Sequence, residues 1–131
     1  MADLDTLIAE LEQASEGSRD LDARVALAAG WLRKFGDDGR TYWKHGDDSW
    51  LAISDGGPDF YPTTSIDAAL TLVPEGFVWG VGTDIDEGPS AVLTRYPADY
   101  KTGDGFEYHE HTTAATPPLA LCIAALKARR G

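Results

Sequence analysis

The chain is poor in cysteine, in long apolar runs and, over much of its length, in positive charge. Its 131 residues include a single cysteine, Cys122. A lone thiol closes no internal disulfide, so a disulfide scaffold is excluded and a reducing compartment is expected. The longest apolar run, Leu119 to Leu126, is eight residues, far short of the roughly 18–20 that span a bilayer. The opening Met-Ala-Asp-Leu-Asp lacks the basic and apolar parts of a secretory signal. A cytoplasmic location is expected. No Lys or Arg occurs from His45 to Thr94, while nine acids do. Phosphate grooves and acidic membranes both demand clustered bases, so nonspecific nucleic-acid binding and membrane association are not expected. Gly-x-Ser-x-Gly and Walker patterns are also missing, so no cofactor and no catalytic residue are assigned.

What remains is the composition of one folded domain. The formal net charge is −11, and 43% of residues are hydrophobic. A chain of this length buries about two-thirds of its unfolded surface without a metal or disulfide staple. One domain over residues 1–131 follows.

Periodicity places the elements. Leu4, Leu7, Ile8 and Leu11 form one stripe of an amphipathic helix, with Gly17 as its expected C-cap. Ser18 reads as the N-cap of a second helix running to about Gly30, with a stripe of Leu21, Val25, Ala28 and Leu32. A hairpin is expected at Thr41–Lys44 and Ser49–Ile53, broken by Gly46-Asp47-Asp48. Ile66, Ala69, Leu70 and Val73 return to helical spacing, with a capping box from Thr64 to Asp67, and Pro74-Glu75-Gly76 stops the chain. Strands follow near Phe77–Val81, Ala91–Tyr96 and Phe106–Thr112. Thr116-Pro117 starts an apolar last helix. The order α-α-β-β-α-β-β-β-α, with hairpin-length links, predicts an α+β fold, an antiparallel sheet packed between helices in an αβα layered sandwich. The expected core is Leu4, Leu7, Ile8, Leu11, Leu21, Val25, Ile66, Leu70, Trp79, Leu119, Ile123 and Leu126.

Three segments carry a resemblance. They are SRDLDA from Ser18 to Ala23 with Gly30-Trp31, YPTTSIDAALTLVPEGF from Tyr61 to Phe77, and ATPPLALCIAALKAR from Ala115 to Arg129. Together they resemble the phage ABA-sandwich domain family of small phage and prophage proteins, with Phe77 where that pattern has Trp. The resemblance implies the αβα fold and a phage source, and hence a bacterial host cytoplasm. It brings no activity with it. Gly36–Phe60 and Thr83–Thr113 lie outside it.

Few residues suggest chemistry. Glu107, His109 and His111 alternate on a strand, a spacing that offers a carboxylate and two imidazoles to a metal. The polar face of an edge or solvent-facing strand is the reading preferred for them, and no metal is expected. Asp84-Ile85-Asp86-Glu87-Gly88 lacks the ligands of a calcium loop and reads as an acidic turn. Cys122 lies in an apolar helix and reads as a packing residue.

The aromatic residues say more. Tyr42, Trp43 and Trp50 fall on the hairpin with Arg40 and Lys44 beside them. Partly exposed rings beside cations suit a flat anionic ligand such as a nucleotide; cross-strand ring pairing that merely stabilises the hairpin is the alternative. The expected ligand-binding residues are therefore Arg40, Tyr42, Trp43, Lys44 and Trp50. The leading expectation is a non-enzymatic phage accessory protein that binds a small molecule, such as a signalling nucleotide of host defence, or a host protein. Homo-oligomerisation would bring its sparse cations together. Other readings are an acidic protein that covers a basic host protein or mimics DNA, a metal enzyme built on His109 and His111, and a virion or assembly component.

Overall fold

The computed structural model describes residues 2–47, 49–52, 56–95 and 108–130. Helix α1 (Ala2–Gln13) buries Leu7, Ile8 and Leu11, with Leu4 half-buried beside them, as its stripe predicts. Ser18 caps α2 (Arg19–Ala28), its hydroxyl accepting from the Leu21 N–H at 3.1 Å. Gly17 does not act as the expected cap. A Cβ there would lie 2.1 Å from the Thr63 carbonyl oxygen, so glycine serves a close approach of two backbones.

Helix α2 ends in a Schellman motif. Gly30 takes φ 100°, and the Trp31 N–H donates to the Ala26 carbonyl at 2.9 Å. The reversal withdraws Leu32 from the helical stripe expected of it. Residues Leu32–Phe35 instead form β1, which pairs antiparallel with β2 (Thr41–Lys44), and β2 pairs with β3 (Leu51–Ala52). Helix α3 (Ile66–Leu70) is capped by Ser65 rather than Thr64, the Ser65 hydroxyl accepting from the Ala68 N–H at 3.2 Å. Strands β4 (Val78–Asp84), β5 (Gly88–Arg95) and β6 (Tyr108–Thr113) form a second antiparallel sheet in that order. The expected strand residues Ile53, Tyr96 and Phe106 lie outside the described residues.

The last helix, α4 (Pro117–Arg130), is the centre of the molecule. All eight residues from Leu119 to Leu126 are fully buried. Eight residues make more than two turns, so no side of that stretch is open. It packs on β5 and β6, and also against α1 and α3. Among the described residues, four helices and two three-stranded antiparallel sheets make the α+β fold expected from the sequence, with two sheets in place of the one expected.

Two expected core residues lie at the surface. Trp79 is 48% exposed, because β4 is an edge strand and α4 lies mainly over β5. Ile66 is 38% exposed, as the first residue of a helix too short to turn its stripe inward.

A buried polar knot ties α2 to the loop before α3. Asp22 is wholly buried. Its Oδ1 accepts from the Thr63 N–H at 2.9 Å and the Thr63 hydroxyl at 2.7 Å, and its Oδ2 accepts from Arg19 at 2.9 Å. Arg19 also donates to the carbonyls of Pro58 and Phe60 and lies 4.0 Å from the Tyr61 ring centroid. A Cβ on Gly57 would meet this guanidinium at 2.5 Å. Residues of SRDLDA and YPTTS thus meet in space and hold the loop from Gly57 to Thr63. The third segment joins them where the Cys122 thiol donates to the Pro62 carbonyl at 3.1 Å. Burial, with the Asp22 charge as a lesser cause, pushes that thiol well above its ordinary pKa. Cys122 is a packing residue.

Candidate ligand-binding surface

The first sheet is a short meander whose outer strands β1 and β3 are exposed throughout, with Trp43 of the middle strand its buried residue. Its alternation decides which side chains meet. The register sets Lys34 opposite Tyr42 and Leu32 opposite Lys44, all on one face. Trp50, just before β3, joins them. The Lys34 ammonium lies 4.4 Å from the Trp50 ring centroid and 5.8 Å from that of Tyr42. The Lys44 ammonium lies 5.6 Å from the same indole. Two lysines therefore stand close to one tryptophan, and neither has a carboxylate partner among the described residues. In a chain of net charge −11 this is a local positive patch with an aromatic floor.

Tyr42 is held at the edge of that patch. Its hydroxyl donates to Asp38 at 2.6 Å, and the Arg40 N–H donates to the same carboxylate at 3.0 Å. These bonds, the hydroxyl's first, hold the Asp38 carboxyl below its ordinary value, and the carboxylate raises the Tyr42 phenol. The Arg40 guanidinium sits 3.9 Å from Asp38, so part of its charge is answered locally. An anion is best placed toward Lys34 and Lys44, away from Asp38.

Trp43 departs from expectation. It is 1% exposed, and its indole N–H donates to the Gly56 carbonyl at 2.9 Å. It points to the face opposite Tyr42 and fastens the sheet to the body, with Arg33 5.4 Å from its ring. No ligand on the lysine face reaches it. Of the five expected residues, Tyr42, Lys44 and Trp50 gather on one face, Arg40 borders it, and Trp43 is core. Lys34 is the member the sequence reading missed. The second helix is expected to end at about Gly30 with Leu32 still in its stripe, and no strand is expected over Leu32–Phe35, where the structure has β1.

A second concavity lies past the end of the sheet. Trp31, His45 and Phe60, with Ala29, Thr71, Leu72 and Arg129, line a pocket of about 180 Å³. Trp31 stacks on His45 at 4.8 Å between centroids and on Phe60 at 5.2 Å. The Arg129 Nε donates to the Leu72 carbonyl at 2.9 Å. These residues come from separate segments, and no spacing in the sequence announces them.

The remaining candidates are dispersed. Glu107 lies outside the described residues. His109 and His111 are on β6, paired with Thr94 and Val92. His111 is exposed, with its Nε2 3.9 Å from Glu87. Among the described residues no three His, Cys, Asp or Glu side chains gather as a metal-binding group. Ile85, Asp86 and Glu87 turn the chain between β4 and β5, and Gly88 takes φ 81° at the start of β5. Among the described residues no helix is long and apolar enough to cross a membrane. Comparison with protein-family models, curated proteins and solved structures finds no match.

Proposed function

We propose that this protein acts by binding rather than by catalysis, and that the solvent face of its first sheet takes a flat, anionic, nucleotide-like molecule. The observation that carries the reading is the pair of lysines, Lys34 and Lys44, 4.4 Å and 5.6 Å from the Trp50 ring centroid and without acid partners among the described residues. A base would stack on the indole while a phosphate meets the ammonium groups. The resemblance to small phage proteins supports a setting in a bacterial host cytoplasm, with the protein sequestering a signalling nucleotide of host defence. Isothermal titration against mononucleotides and cyclic dinucleotides tests it. Trp50→Ala and Lys34→Ala should each weaken binding at least tenfold, about 1.4 kcal/mol, while leaving the melt unchanged. Binding that is absent, or indifferent to both changes, refutes the reading.

A second reading rests on the base-free stretch from His45 to Thr94. Asp47, Asp59, Asp67, Glu75, Asp86 and Glu87 are exposed there. That surface suits a basic host protein. Salt-sensitive capture of a basic partner, unaffected by Trp50→Ala, would favour it over the nucleotide.

A further inference from the structure

We propose that the pocket between Trp31, Phe60 and Arg129 is a second binding site, for a small molecule made of one aromatic ring and a carboxylate. It lies past Leu32 and Lys44, the last paired residues of β1 and β2, where the sheet meets the body.

Shape comes first. The pocket holds about 180 Å³. A cavity of about 150 Å³ admits benzene, so one six-membered ring with a small substituent fits. The walls come next. Trp31 and Phe60 lie nearly parallel, 14° apart, and His45 lies 17° from Trp31. Stacked on one another, the three rings leave no gap between them and serve together as a preordered apolar wall, against which a flat ligand lies at little further ordering cost.

Charge decides the substituent. The lining contains one permanent cation, Arg129, and no carboxylate, in a protein with twice as many acids as bases. Arg129 spends its Nε on the Leu72 carbonyl. That bond fixes the guanidinium plane. Its terminal nitrogens have no acid partner among the described residues. A guanidinium so anchored presents parallel N–H groups, which suit a carboxylate held by two bonds. Arg129 is exposed, so a neutral ring would gain the apolar wall and make no charged bond to the guanidinium.

The four tryptophan indole N–H signals, followed by nuclear magnetic resonance during titration with sodium benzoate and benzamide, test the site. Trp31 is assigned by Trp31→Phe. Benzoate should shift the Trp31 signal saturably, with a Kd of about a millimolar or tighter. Benzamide, the neutral counterpart, should bind at least tenfold more weakly. Arg129→Gln should weaken benzoate at least tenfold, and Arg129→Lys should retain part of the affinity. Absence of a saturable shift overturns the proposal. So does benzamide equal to benzoate, which removes the charge role. The benzamide arm uses the unaltered protein, so the outcome stands even where Arg129→Gln lowers stability.

Discussion

Replacing Asp22 with alanine removes the acceptor for three hydrogen bonds at once. Thr63 loses the partner of its N–H and one partner of its hydroxyl, and Arg19 loses its carboxylate. The Thr63 residue is 1% exposed, so water does not replace Asp22 at the N–H. An orphaned buried donor costs about 1–3 kcal/mol. The Arg19 side chain keeps 28% of its surface, so solvent recovers part of its loss. Removal of one partner from a buried ion pair costs about 3–5 kcal/mol, and this screened case belongs at the lower end. Asp22→Ala should therefore cost about 3–4 kcal/mol, a large share of the roughly 5–15 kcal/mol that hold a domain folded. Asp22→Asn keeps an oxygen for Thr63 and loses the charge facing Arg19, so it should cost about half as much. Urea unfolding followed by tryptophan fluorescence measures both. Thr63→Val tests the link, since the two losses share one bond and should fall short of additive by at least about 1 kcal/mol in the double variant. An Asp22→Ala variant within about 1 kcal/mol of the parent would refute the view that this knot holds the loop.

Other outcomes follow from single contacts. Gly17→Ala should destabilise by at least about 1–3 kcal/mol in the same urea assay, because its Cβ meets backbone rather than a movable side chain. Ile123→Ala should cost about 2–5 kcal/mol by opening a cavity in the fully enclosed part of α4. Cys122 should resist a thiol reagent in the native protein at neutral pH and react fully in denaturant, since burial disfavours its thiolate. The Asp38–Tyr42 bond has a pH window whose signs are opposite at its two ends. Asp38 titrates below its ordinary 3.8, so its contribution is present above that value and lost as pH falls through the lower folded one. Tyr42 titrates above 10, so its contribution is present below 10 and lost as pH rises through the higher folded value. Asp38→Asn should bring the Tyr42 phenol back toward 10, read by tyrosinate absorbance; an unmoved titration would mean the bond is not made in solution.

Much of the local structure was legible in the chain itself. Ser18 and Thr116 announced helix starts because a hydroxyl before a helical stripe satisfies N–H groups that nothing else reaches. The apolar run in α4 announced the central helix because a segment apolar on all sides is stable only when covered on all sides. The acid excess set the expectation of no nonspecific nucleic-acid partner through charge alone. Tertiary structure decided the rest. Trp43 and Trp79 look alike in sequence, each a large ring in a strand. One became core and the other surface, because the Gly56 carbonyl meets the first and β4 is the edge strand among the described residues. Lys34 became the partner of Trp50 only once Gly30 had reversed the chain and released β1. The Asp22 knot and the Trp31 pocket join residues tens of positions apart. Local periodicity reports which face of an element is apolar. It carries no information about which distant segment will cover that face, and the candidate sites were settled there.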